Sequence, residues 1–229
     1  MEYQNIIREL RAHASPKNVE GMARFGISAK NTLGIPVPIL RKLAKKIGRD
    51  HKLALRLWDS GIHEARLLAG FIDDHELVTS AQMDGWVADF DSWDICDQVC
   101  MNLFDKTPFA YSKITKWARD KREYVRRAAF AMMASLAVHD KKAEDKEFIK
   151  FLPMIKKYST DERNFVRKAV NWALRQIGKR NNKLNVEALK TARTILNEDS
   201  KTARWIANDA IRELTCKAVQ RKVRGGIKT

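Results

Sequence analysis

Two stretches of this chain repeat one another at a spacing that few folds produce. Tyr124-Val125-Arg126-Arg127-Ala128-Ala129 aligns with Phe165-Val166-Arg167-Lys168-Ala169-Val170 at an offset of 41 residues. Asn171-Trp172-Ala173-Leu174-Arg175 aligns with Asn208-Asp209-Ala210-Ile211-Arg212 at an offset of 37. Periods of about 40 residues suit stacked helical pairs. One such pair cannot bury its apolar face alone, so successive pairs stack, and the second helix of each lines the concave side of the stack. The competing explanation is that Ala-rich helices look alike without being repeats. The recurring aromatic-x-Arg-basic-Ala pattern favours true repetition.

The rest of the chain agrees with an all-α fold. No segment sustains the period-two alternation of a half-buried strand, and the few Pro and Gly residues fall mostly at breaks. Helices are expected over Tyr3–His13, Val19–Phe25, Ile39–Ile47, Asp50–Trp58, His63–Ile72, Ser80–Phe90 and Trp93 to about Phe104. Another starts near Thr107-Pro108 and reaches Trp117. Glu123–Val138, Asp145–Tyr158, Arg163–Ile177 (closed by Gly178), Asn185–Leu196 and Thr202–Val219 follow. The reading is a HEAT-like helical-repeat solenoid with a concave basic face, forming one domain over residues 1–220, with a basic C-terminal tail over 221–229.

Charge narrows the partner. Lys and Arg number 44 against 28 Asp and Glu, a net of +16. A field of that sign attracts polyanions, and nucleic acid is the leading candidate. It argues against a general protein-interaction scaffold, the commonest use of HEAT repeats. No apolar run approaches the roughly 18–20 residues that a membrane span requires. The N-terminus, Met1-Glu2-Tyr3-Gln4-Asn5, lacks the basic and apolar regions of a signal peptide. Cys96, Cys100 and Cys216 are an odd set that suits reduced thiols in a cytoplasmic protein. The first two are expected in the core, because no His or third Cys completes a zinc set nearby. The five histidines are scattered, and no HExxH, P-loop or Gly-rich dinucleotide fingerprint appears. No metal, cofactor or membrane partner is expected, and a monomer is.

The stretch Asp91-Ser92-Trp93-Asp94-Ile95-Cys96-Asp97-Gln98-Val99-Cys100 reads as a helix start. Ser92 is placed as the N-cap and Asp94 in the first turn, where an acid favours the positive end of the helix dipole. Trp93 and Asp97, four residues apart, share a face. Ile95 and Val99 supply core contacts, so an aromatic and an acid are left over. Further along, Lys168, Trp172 and Arg175 lie on one face at i, i+4, i+7 spacing. If second helices line one surface, Arg127, Lys168 and Arg175 can meet phosphates, Trp93 and Trp172 can wall a sugar or base, and Asp97 is the lone anion. Each also has an ordinary reading, as a core aromatic, a solvated acid or an inter-repeat ion pair. Trp58, Trp86, Trp117 and Trp205 are expected to be core or half-buried.

At these residues the chain resembles the AlkD-type DNA alkylation repair glycosylases, a family of HEAT-like repeat proteins. The similarity runs from Met22-Ala23-Arg24-Phe25 and the Leu33-Gly34-Ile35 loop to about Leu214. Its most specific parts are Ser92-Trp93-Asp94-x-x-Asp97, Arg127-Ala128-Ala129 and Lys168-Ala169-Val170-x-Trp172-Ala173-Leu174-Arg175. The resemblance implies a catalytic Asp97, Trp93 and Trp172 cupping the deoxyribose of a damaged nucleotide, and Arg127 holding the nearby backbone. Arg126, Arg167, Lys168, Arg175 and Phe25 are the expected further DNA contacts. The implied substrate is duplex DNA containing alkylated purines. Two departures bear on substrate range: Ser92-Trp93 stands where some members carry Trp-Trp, and Phe25 stands where some carry a tyrosine.

The implied chemistry suits these residue types. A purine alkylated at N3 or N7 is cationic and already a good leaving group. Its loss puts positive charge on the sugar, which a carboxylate stabilises while orienting or deprotonating water. Indole faces add attraction for the cation. The leaving base needs no proton, so one carboxylate suffices where many glycoside hydrolases use two. The family is thought not to flip its target base, in contrast to most glycosylases. The alternative of a different class is a non-catalytic DNA- or RNA-binding repeat protein.

Overall fold

A computed structural model describes residues 2–225, and every regular element among them is helical. The all-α expectation therefore holds. The chain divides into two compact units, the first ending at Ala110 and the second beginning at Tyr111. Among the described residues, no helix is long and apolar enough to cross a membrane.

The first unit contains α1 (Tyr3–Ala12), α2 (Pro16–Ala23), α3 (Val37–Ile47), α4 (His51–Asp59), α5 (His63–Ile72), α6 (Ser80–Ala88) and α7 (Trp93–Asn102), then a 3-10 turn at Phe104–Lys106. Side-chain oxygens start several of them: Ser15 accepts from the Asn18 amide, Asp50 from Leu53 and Thr79 from Gln82. Helix α5 is the centre of the unit and packs against α3, α4 and α7. It buries eight of its ten residues. Beside it, the Trp58 and Trp86 indoles stack face to face, with centroids 4.0 Å apart and planes within 2°. The Trp58 Nε1 donates to Asp89 Oδ2 at 2.9 Å.

One carboxylate holds a loop to this centre. Glu64 is fully buried in the first turn of α5, where an acid also suits the helix dipole. Its oxygens accept the amides of Leu33 (2.8 Å), Gly34 (2.7 Å) and Ile35 (3.1 Å). The loop could not be this tight with another residue at position 34. Gly34 has φ +79°, and an added Cβ would lie 2.3 Å from the Ser15 carbonyl oxygen. The Asn18 Nδ2 donates to the Gly34 carbonyl at 2.9 Å, so α2 is tied to the same turn.

The second unit takes α8 (Ala110–Arg119), α9 (Glu123–His139), α10 (Asp145–Ile149), α11 (Leu152–Lys157), α12 (Asn164–Gly178), α13 (Asn182–Leu196), α14 (Lys201–Thr215) and α15 (Lys217–Arg224). Helix α12 packs against α9 and against α14, while α13 pairs with α14. The sequence repeat is physical here. Its equivalent residues Tyr124 and Phe165 stack on each other with centroids 5.6 Å apart. Glu123 Oε1 accepts the Phe165 amide at 3.1 Å. An Asp-x-Arg staple precedes both helices: Asp120 accepts from Arg122 and Asp161 from Arg163, each through backbone amide and guanidinium. Gly178 ends α12, where an added Cβ would sit 2.7 Å from the Leu214 side chain, so the glycine lets α14 approach.

Several boundaries differ from expectation. The second helix spans Pro16–Ala23 and not Val19–Phe25, because Ser15 and Pro16 supply its cap and first position. The single helix expected over Asp145–Tyr158 is two, since Pro153 lacks an amide hydrogen and sits in the first turn of a new helix. The last helix breaks at Cys216, which is extended (ψ 150°), and resumes as α15. The tail expected from Arg221 is therefore helical to Arg224, with Val223 buried; residues 226–229 lie outside the described residues.

Glu64→Ala should destabilise the first unit by about 3 kcal/mol or more, because three buried amides lose a charged acceptor. Chemical denaturation measures it. A loss below about 1 kcal/mol would mean that the Leu33–Ile35 turn is held by other contacts.

Candidate functional site

In the first unit, Trp93 and Asp97 lie on α7 and both are half-buried, consistent with their shared face. The helix start differs from the simple capping expectation. Ser92 occupies the N-cap position, but its hydroxyl makes no capping bond and donates to Asp94 Oδ1 at 2.6 Å. Asp94 Oδ2 in turn accepts from His63 Nε2 at 2.9 Å. Both partners are buried, at 3% and 9% exposure. This ion pair fixes the first turn of α7, three residues before Asp97, to the first turn of α5. Trp93 Nε1 donates to the Phe25 carbonyl at 3.1 Å, which joins two of the expected site residues. The Phe25 side chain is 73% exposed. Cys96 and Cys100 are fully buried, as expected.

In the second unit, Arg127 is buried and donates to the Phe165 carbonyl at 2.6 Å, at the beginning of the helix that carries Trp172. Trp172 is half-buried, and Lys168 is exposed with its ammonium 6.0 Å from the Phe165 ring centroid. Arg126 and Arg175 are committed to acids within the unit. Arg126 Nη1 donates to Asp161 Oδ2 at 2.7 Å and its guanidinium lies 4.6 Å from the Tyr158 ring centroid. Arg175 pairs with Glu213, which also accepts from Lys179 at 2.6 Å, and approaches Asp209 at 3.7 Å. Burial alone would raise the Glu213 carboxyl; the Lys179 and Arg175 bonds outweigh it and hold the carboxyl below its usual range.

Arg167 is different. It makes no carboxylate contact among the described residues. Its Nη2 donates to Asn164 at 3.2 Å, its guanidinium lies 5.2 Å from the Trp205 ring centroid, and its buried Nε has no hydrogen-bond partner. Trp205 is 40% exposed, so the expectation of a core or half-buried indole fails at this position. It stands on the outer side of α14, where the inward face is already filled by Ala203, Ile206, Ala207 and Ala210. The period of those apolar residues could have revealed this. His63 carried no comparable sequence signal, because its partner lies 31 residues away.

The His63–Asp94 pair makes a pH-dependent contribution. Burial would lower the His63 pKa, but the Asp94 bond and charge, with Glu64 and Asp91, raise it above 6.5. Burial would raise Asp94, but His63 and Ser92 bring it below 3.8. The His63 contribution is full below about pH 6.5 and is lost as pH rises through its raised folded value. The Asp94 contribution is present above about pH 3.8 and is lost as pH falls through its lowered value. The stability gap between wild type and His63→Gln should therefore be greatest between about pH 4 and 6.5, at roughly 1–3 kcal/mol, and shrink by pH 9. Denaturant titrations at both ends check this; a gap constant from pH 5 to pH 9 would show that the pair is not ionised.

No curated protein matches the chain. One solved structure covers 93% of this chain and 95% of its own, with a TM-score of 0.77 at 19% identity. It is described as a new family of proteins related to the HEAT-like repeat DNA glycosylases with affinity for branched DNA structures. At that identity the likeness concerns the fold, which is thus the HEAT-like helical-repeat fold expected from the sequence. A designed armadillo repeat protein in complex with a (KR)4 peptide aligns over 81% of this chain and 88% of its own, with a TM-score of 0.36 and 17% identity. The family model described as DNA alkylation repair enzyme matches residues 6–214, a span that contains both units' candidate residues. The chain belongs to the DNA alkylation repair enzyme family.

Proposed function

We propose that this protein binds duplex DNA and excises cationic N3- and N7-alkylated purines by hydrolysing the N-glycosidic bond. In this reading the second helices of the repeats present basic side chains to the DNA. Trp93 and Asp97 act on the damaged nucleotide in the first unit, and Arg127 and Trp172 are the DNA contacts of the second. The observation that carries the proposal is the family match over residues 6–214, together with the half-buried Trp93 and Asp97 on one face of α7.

Each group has a role in that chemistry. As the C1′–N bond lengthens, positive charge grows on the deoxyribose. Asp97 stabilises it and orients the attacking water, and the Trp93 indole on the same helix face adds attraction for the cation. Arg127, fixed on the Phe165 carbonyl, holds the DNA backbone. The cationic base leaves as a neutral purine, so no general acid acts on it. The contacts of the second unit support a division of its cations in this reading. Lys168 and Arg167 have no acid partner among the described residues and are the free cations of the α12 face. Arg126 and Arg175 are balanced by Asp161, Asp209 and Glu213, so they chiefly brace the repeats.

A second reading has support of its own. The solved relative of the same fold is described by its affinity for branched DNA, which makes a non-catalytic DNA-binding protein the alternative. Release of 7-methylguanine and 3-methyladenine from methylated duplex DNA separates the two. Asp97→Asn should lower excision by about a hundred-fold or more, the scale of one lost preorganised electrostatic contact. Its DNA affinity should hold or rise slightly, since a carboxylate repels phosphates. Wild-type excision by Asp97→Asn would make the aspartate structural. Tight DNA binding by a wild type that releases no base would establish the second reading.

Binding should follow the cations. Arg167→Ala should weaken affinity across sequences and reduce the salt slope by about 1, the signature of one lost phosphate contact. If Trp205 acts by holding that guanidinium, Trp205→Ala weakens binding in the wild type and adds nothing in the Arg167→Ala background. Additive losses in this double-mutant cycle would mean that Trp205 contacts DNA by itself.

A further inference from the structure

Helix α2 buries none of its own residues. Its apolar side chains Val19 and Met22 are half-buried, and Phe25 just beyond its end is 73% exposed. Between this helix and the Gly34–Pro36 turn lies a cavity of about 730 Å³, bounded by Met22, Phe25, Ile27, Ile35, Pro36 and Trp93. Its walls are set by hydrogen bonds that do not involve their apolar surfaces. Asn18 holds the Gly34 carbonyl, Glu64 holds the Gly34 and Ile35 amides, and Trp93 holds the Phe25 carbonyl. The cavity is thus preformed and apolar, and it contains two aromatic side chains. Lys17 and Arg24 stand at its edge with no ion-pair partner among the described residues, against one lining acid, Glu20.

A ligand that suits such a site has a flat apolar face and carries anions beside it. An unpaired nucleobase on its phosphate backbone has both. We propose that this cavity receives a nucleobase displaced from the DNA stack, with Lys17 and Arg24 meeting the flanking phosphates. The proposal concerns recognition of an unpaired base and is separate from excision; it rests on the DNA-binding reading above. Aromatic side chains hold bases through stacking, which tolerates any base because each has a π-face. The volume also exceeds what one base fills, leaving room for its sugar. Trp93 is shared between this cavity and the proposed sugar wall, so a base held here lies next to the nucleotide that Asp97 acts on.

Three undamaged DNA duplexes test it: one fully paired, one with a single unpaired thymidine, and one in which that position is an abasic analogue. The wild type should bind the thymidine bulge about tenfold more tightly than the abasic bulge, the scale of one base stacked on an aromatic side chain. Two variants should bring that ratio near one. Phe25→Ala removes a wall. Gly21→Leu fills the cavity, since Gly21 lines it and an added Cβ there meets nothing within 4 Å. Because leucine also favours the helix over glycine, Gly21→Leu should fold and bind the fully paired duplex as the wild type does. Equal wild-type affinity for the two bulges overturns the proposal, and so does a preference that survives both variants. Failure to bind any of the three duplexes overturns the DNA-binding reading itself, and this proposal with it.

Discussion

The first two residues of α5 hold the first unit to its functional shape. His63 and Glu64 point in different directions from one buried helix end. Glu64 gathers three amides of the Leu33–Ile35 turn, and His63 binds the carboxylate that opens α7. The His63 amide also donates to the Asn31 carbonyl at 2.9 Å, closing the same loop from its other side. A charged group buried without partners is unfavourable by several kcal/mol, so these two side chains admit few alternative arrangements of their neighbours. The loop that walls the cavity and the helix that carries Asp97 are consequently positioned by adjacent residues. A disturbance at either reaches the other through one helical turn.

In the second unit the repeating device is the guanidinium. Arg122 and Arg163 close Asp-x-Arg staples, Arg126 bonds Asp161, and Arg175 bonds Glu213. Each of these charges has an acid nearby, so together they give the repeats cohesion while adding little to the outward field. Arg167, equivalent to Arg126 in the repeat, has an indole where its counterpart has an acid. The same sequence pattern thus serves cohesion at one helix and leaves a cation available at the next. Net charge alone does not make that distinction; it depends on which arginine finds a carboxylate.

This explains what the sequence revealed and what it hid. Helical periodicity and the aromatic-x-Arg recurrence are local or nearly so, and they foretold the all-α repeat fold, the Tyr124–Phe165 equivalence and the shared face of Trp93 and Asp97. Long-range pairing hid the rest. Glu64 reads as a surface acid until the turn 30 residues earlier is folded onto it. Ser92 reads as a cap until Asp94, held by His63 through its other oxygen, takes the hydroxyl as a donor. Trp205 reads as a core residue by its type, although the small apolar residues around it already fill the inner face of α14. The cavity beside α2 has no sequence signature, because it arises from what that helix leaves uncovered.

The face-to-face Trp58–Trp86 pair has a practical consequence of another kind. Two indoles 4.0 Å apart and nearly parallel couple their electronic transitions, and the resulting circular dichroism depends on their keeping that geometry. Both rings belong to the first unit, as do the helices that hold them. The chain therefore contains an intrinsic optical reporter for one of its halves. Loss of that signal, followed beside overall helix content, would tell whether the two halves unfold together or in sequence.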